Sequence, residues 1–196
     1  MPSIGLLPSL AVMRRFWQAS AVFAALVSPL AAETGNTFAW DAPKVAESIF
    51  SRELGMLDSE REDYATNLAA VAVNHLAKAK ATPTALADAR RMLALALHLS
   101  PRNKRAVVVN FQLSKGVLPE ATESNYSPQV FARLMLTRGQ LLEKQAGDEN
   151  KRLARYFIQL AAELDPKNED AVYASELLRL DHGAVDWSAL TDPKKD

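Results

Sequence analysis

The three histidines, His75, His98 and His182, are the side chains best suited to moving a proton or holding a metal near neutral pH, and they stand far apart in the chain. None has another His or a carboxylate at metal-ligand spacing, so no metal centre is expected. His98 and His182 each precede a helix stop, where a cation is favoured by the unpaired carbonyls, and His75 reads as a helix-interface or surface residue. The run Glu60-Arg61-Glu62-Asp63 concentrates acid, but an acidic first helical turn is accounted for by the macrodipole. No Gly-rich phosphate loop, Gly-x-Ser-x-Gly turn or His-Glu-x-x-His pair occurs. The chain has no Cys, which removes disulfides, thiolate metal sites, a Cys nucleophile and lipid attachment through an N-terminal Cys. The expectation is a protein without catalytic residues, cofactor or metal.

Basic groups point no more strongly to a ligand. Arg102, Lys104 and Arg105 form a small cluster and Arg90-Arg91 another, but no aromatic residues are interleaved with them, so a solvated face is expected and nucleic acid is not. The 23 Lys and Arg balance 23 Asp and Glu, so no large electrostatic field selects a polyanionic partner. Asn125-Tyr126-Ser127 matches a glycosylation acceptor, but the Pro128 that follows is unfavourable and the match reads as chance.

The elements that would position any binding residue are helical. Ala occurs 33 times against 7 Gly and 10 Pro, and β-branched residues are scarce, which favours an all-α chain. Residues 1–32 read as an address label. Arg14-Arg15 precedes the apolar run Ala19 to Leu30, and small residues at Ala31-Ala32 precede the polar Glu33. This is the order of a secretory signal peptide, with cleavage expected after Ala32. A start at Met13 would give a more compact signal. An uncleaved anchor is the weaker alternative, because the apolar run is shorter than the roughly 20 residues a spanning helix needs and contains Pro29. A periplasmic or secreted chain follows, with no integral membrane span after cleavage.

Residues 33–44 read as a polar linker whose Phe38 and Trp40 could dock on the domain, and 45–183 as the helical domain. Seven helices are expected there. The first is short, marked by Val45, Ile49 and Phe50 and ended near Gly55. Asp58-Ser59-Glu60 opens the second, Thr82-Pro83 the third up to Leu99, and Asn103 the fourth up to about Ser114. Pro128 opens the fifth through Gln145; the sixth spans about 149–164 and the seventh about 168–182, before Gly183. The connection 116–127 could hold a turn at Pro119-Glu120-Ala121 or cross over. Residues 184–196 form a tail in which Trp187 either covers the last helices or anchors a partner, the first being preferred.

The segment from Ala89 to Val107 repeats at an offset of 65 residues, Ala154 to Val172, with Ala89, Arg90, Leu95, Ala96, Leu99, Pro101, Asn103, Ala106 and Val107 identical to their counterparts. A repeated helix, Pro turn and second helix is the signature of an α-solenoid. The placing of Ala89, Leu93 and Pro101, and again of Ala154, Ile158 and Pro166, resembles the second helix of the tetratricopeptide repeat family over roughly Arg61 to Asp181. First helices fit less well: Leu76-Ala77 and Arg138-Gly139 stand where Leu-Gly is expected, and the family's Trp is absent. Only three helices advance between copies, which leaves the helix after Asn103 without a regular partner.

The resemblance implies a tetratricopeptide-like right-handed α-solenoid of antiparallel helix pairs, and a non-catalytic scaffold that binds another protein or an extended peptide. Registering the repeat puts Asn74, Lys78, Arg105 and Gln112 on the inner face, with Trp187 as a second candidate contact. Solvent exposure alone would explain the same polar residues. Two alternatives stay open, a docking or regulatory region of an enzyme system and a self-associating envelope protein whose irregular helix is completed by a second copy.

Overall fold

Helix boundaries follow the local chemistry of their ends. The computed structural model describes residues 38–45 and 47–193; the expected signal peptide, 1–32, and the start of the linker, 33–37, lie outside the described residues. The described residues contain α1 (Asp58–Ala79), α2 (Pro83–Leu99), α3 (Lys104–Ser114), α4 (Pro128–Glu143), α5 (Asp148–Leu164), α6 (Glu169–His182) and a single turn, α7 (Ser188–Thr191), with no strand. No described helix is long and apolar enough to cross a membrane. Four helices start on a side-chain oxygen that accepts an otherwise orphaned amide: Thr82 from Ala85, Asn103 from Ala106, Ser127 from Val130 and Asn168 from Ala171. At α1 the order is reversed, and the Glu60 carboxylate reaches back to the Leu57 amide at 2.9 Å.

The chain folds as two similar units. In the first, α1 and α2 form a hairpin and α3 returns across both; in the second, α4 and α5 form the hairpin and α6 returns across both. The repeat is structural as well as sequential, because α2 and α5 share both boundaries at the 65-residue offset and α3 and α6 share their start. Small residues set the spacing of the hairpins. Ala89 and Ala96 on α2, and Ala154 and Ala161 on α5, are buried. At Gly139 on α4 a Cβ would stand 2.7 Å from Ile158 Cγ1, so only Gly permits this approach of α5. Tyr64 joins the units: its ring stacks on Phe157 at 4.8 Å and lies 5.9 Å from Phe131, and its hydroxyl donates to the Leu134 carbonyl at 3.1 Å. Burial pushes its phenol up to about 12, so it remains a donor at any physiological pH.

The expected first helix does not form. Residues 47–57 are an irregular strap, although Phe50, Leu54 and Met56 are buried as an apolar pattern demands. The reason is competition for the backbone. Ser48 Oγ accepts from the Phe50 amide, and side chains of the surrounding helices take the other polar groups in place of a helical ladder. The Ile49 amide donates to His98 Nδ1 at 3.2 Å, the Gly55 amide to Asn150 Oδ1 at 2.8 Å and the Ser51 amide to Glu149 Oε2 at 2.8 Å. Arg61, only 7% exposed, donates to the carbonyls of Ser51, Phe50 and Leu99, and so also closes the C-terminus of α2. A side chain at Gly55 would strike Gln145.

Both flanks of the domain dock. Phe38 and Trp40 pack against the core, as the linker sequence suggested, and Trp40 Nε1 donates to Asn110 Oδ1 at 3.1 Å. The tail forms α7, which packs on α2 with Leu190 buried. Arg90 holds both ends, reaching the Asp41 carbonyl at 2.7 Å and the Asp192 carboxylate at 2.9 Å. The neighbouring Arg90 and Lys44 keep the Asp192 carboxyl below its ordinary range. Arg155, its repeat counterpart, donates to the Gly183 carbonyl at 2.9 Å and so secures the chain beyond α6.

The expected cation at His98 is corrected by its surroundings. The ring is fully buried, Nδ1 accepts from the Ile49 amide, and Nε2 donates to the Leu190 carbonyl at 3.0 Å. Burial lowers its pKa despite the opposing Leu190 contact, so the folded protein holds the neutral ring with its proton on Nε2. The unfolded chain takes up a proton at about pH 6.5 and the folded chain only below that, so stability is undiminished above this pH and falls as acid is added. Melts followed by circular dichroism should therefore show a Tm that drops between about pH 7.5 and pH 5.5 more steeply than that of His98→Gln, which is less stable but has no ring to protonate. Parallel pH profiles would exclude a neutral buried imidazole.

Candidate interaction surface

Asn74 and Lys78 stand one turn apart on α1 and therefore share a face. The segment 117–127, which follows α3, contains none of the helices and runs along this face, with no turn of helix at Pro119-Glu120-Ala121. The Asn74 side chain makes a reciprocal pair with one residue of it: Nδ2 donates to the Thr122 carbonyl at 3.0 Å and Oδ1 accepts the Thr122 amide at 2.9 Å. One carboxamide thus satisfies both backbone groups of a non-helical residue, as a neighbouring strand would. Arg105 on α3 donates from Nη1 to the adjacent carbonyl of Glu123 at 3.2 Å. Pro119 is buried and Leu118 packs against the core, so the segment is seated by apolar contacts at one end and backbone bonds at the other.

The inner-face candidates fall around this segment, in different ways. Asn74 and Arg105 grip consecutive residues of it. Gln112 is half-buried where it begins, and its main-chain carbonyl accepts the Val117 amide at 2.9 Å. Lys78 is exposed and lines a groove of about 360 Å3 with Asn74, His75, Met92 and Tyr126. At its edge His75 Nε2 lies 3.4 Å from the Asp88 carboxylate. Trp187 is placed elsewhere. Its ring packs 4.9 Å from that of Tyr156 on α5 and takes the Arg91 guanidinium of α2 over its face at 5.0 Å. Arg91 is itself paired with Asp88 and Glu163, which hold it firmly cationic even though its burial works the other way.

A second surface was not singled out from the sequence. α6 buries only Ala171 and leaves Tyr173 71%, Leu177 44% and Leu180 71% exposed. Between α6 and α4 lies an open groove of about 1080 Å3, with Leu136, Tyr173 and Leu177 in its lining. The apolar spacing of α6 is ordinary for a helix that buries one face, so no pattern in the chain distinguishes this face from a covered one.

Among the described residues, no group of three or more His, Asp or Glu side chains is placed to hold a metal ion. Comparisons of the chain with protein-family models, curated proteins and solved structures give no match.

Replacing Asn74 by Ala removes both bonds to Thr122, a loss of about 1–2 kcal/mol confined to the 117–127 segment. Limited proteolysis should then cut this segment several-fold faster while the helical signal and the Tm stay close to wild type. Unchanged cleavage would mean that Asn74 does not hold it.

Proposed function

We propose that this chain is an exported, non-catalytic helical scaffold of tetratricopeptide-like architecture that binds an extended segment of another protein. The observation that carries this reading is the reciprocal Asn74–Thr122 pair, supported by Arg105 at Glu123. Such contacts address main-chain groups, so they suit any non-helical segment of fitting shape, and here the chain supplies one of its own. The α1-α2-α3 arrangement, repeated as α4-α5-α6 and joined to it through Tyr64, supports reading the chain as a short helical repeat. Export is proposed from the order of charge, apolar run and small residues over 1–32, with the mature chain beginning at Glu33. After removal of that segment 21 basic and 23 acidic residues remain, a balance suited to a protein partner rather than a polyanion.

The direct check separates the groove from its own occupant. In a variant with 117–126 replaced by a Gly/Ser linker of equal length, a labelled synthetic peptide of residues 117–127 should bind saturably by fluorescence anisotropy. Adding Asn74→Ala should weaken it by about tenfold, the worth of a two-bond contact. A variant that keeps its helicity yet binds no peptide, or binds it equally well without Asn74, would remove the basis for this function.

A further inference from the structure

The returning helices of the two units carry matched positions, one against the chain's own segment and the other beside an open groove. In the first unit the groove between α1 and α3 holds the chain's own 117–127 segment. In the second unit the α4/α6 groove is open, and the 65-residue repeat relates the two surfaces residue by residue on the returning helix. Arg105 corresponds to Asp170, Val108 to Tyr173 and Gln112 to Leu177, and all three second-unit residues line the open groove. In the first unit an irregular, extended stretch of chain lies across the first helix at Asn74 and the returning helix at Arg105, while Val108 beside it stays 45% exposed.

The charge of the two grooves is inverted. The segment in the first carries Glu120 and Glu123 and no cation, and it meets Arg105. At the matching position of the second stands the carboxylate of Asp170, and the lining side chains of that groove include five carboxylates against three cations, with Glu143 and Asp181 among the acids. A second copy of the 117–127 segment would bring its own carboxylates onto this acidic rim, which argues against a domain-swapped occupant. The floor is apolar, with Leu136 and Leu177 beside the 71% exposed Tyr173.

We infer that the α4/α6 groove is a docking site for an extended, basic and partly apolar segment of a partner protein. This rests on the scaffold function proposed above and specifies which groove is vacant for a partner and what chemistry that partner carries. Tyr173 and Leu177 supply the apolar contact area, while Asp170 and Asp181 select cationic side chains and disfavour acidic ones.

The probe is a labelled peptide with the sequence of residues 117–127 carrying Glu120→Lys and Glu123→Lys, titrated into the full chain in parallel with the unchanged acidic peptide. The charge-inverted peptide should bind at least about tenfold more tightly than the acidic one, lose most of that margin in high salt, and weaken by about tenfold with Asp170→Arg and with Tyr173→Ala. Both positions are exposed, so circular dichroism should show unchanged helicity. Equal binding of the two peptides, no binding, or affinity untouched by both substitutions would overturn the proposal. So would a dimer in sedimentation that Tyr173→Ala abolishes, since the face would then belong to a second copy. If the 117–127 peptide binds the linker variant in an Asn74-dependent way while these titrations fail, the α4/α6 assignment alone is lost. If both fail, the peptide-scaffold function falls with it.

Discussion

The fold depends on anchoring a strap that has no secondary structure of its own. Residues 47–57 put Phe50, Leu54 and Met56 in the core while Glu47, Ser51, Arg52, Glu53 and Leu57 stay exposed, and the backbone groups drawn inward with the buried residues need partners, at about 1–3 kcal/mol each. Four helices supply the partners: Arg61 from α1, His98 from α2, Arg138 from α4, and Glu149 and Asn150 from α5. Each of these side chains is thereby fixed, and so is the placing of the helix that bears it. Arg61 is the centre of this arrangement, because the same guanidinium that holds Phe50 and Ser51 also closes the end of α2 through Leu99. A cation among backbone carbonyls needs no carboxylate, since the aligned carbonyl dipoles at a helix C-terminus already favour it.

Repetition gives the molecule two copies of one solution, and the differences between them are where function can enter. Arg90 and Arg155 are matched in sequence and perform matched tasks, each gripping backbone beyond its own unit: Asp41 and the tail in one case, the carbonyls after α6 in the other. Asn103 and Asn168 both cap the returning helix, but only Asn103 is also bonded to Glu62 and Thr66 and completely buried. In the first unit the capping network and the 117–127 segment hold α3, although Val108 and Phe111 on it stay 45% and 61% exposed. The second leaves α6 with a single buried residue and a wide groove at its side. The chain's own 117–127 segment reaches the returning helix of one unit at Arg105, while the α4/α6 groove of the other is open.

Three of the ionisable groups that depart from ordinary behaviour sit at junctions of the fold. His98 is neutral and buried between the strap and α7, Tyr64 is held protonated between the two units, and Asp192 is held ionised by Arg90 and Lys44. Each lies where two parts of the chain meet. Their placing ties acid sensitivity to the attachment of the two ends of the domain.

Helix identity and helix ends were legible in the sequence, because they are local. Thr82-Pro83, Asn103, Ser127-Pro128 and Asn168 carry the capping oxygen or the proline of a first helical turn whatever surrounds them. The 65-residue repeat was legible for the same reason, as was the small-residue spacing of Ala89 and Ala96. The strap was not: Val45, Ile49 and Phe50 have helical spacing, and only tertiary partners such as His98 and Arg61 make an irregular path cheaper than a helical one. The buried neutral state of His98 was equally hidden, since a histidine at a helix end is an exposed cation until another segment covers it. Asn74 could be placed on a face from its register, but that the chain itself would occupy that face was settled by the path of 117–127 in three dimensions. Nor could the sequence tell α3 from α6. Both expose apolar side chains, Phe111 on the one and Tyr173 on the other, and which helix a distant segment reaches is a property of the assembled packing rather than of any window of residues.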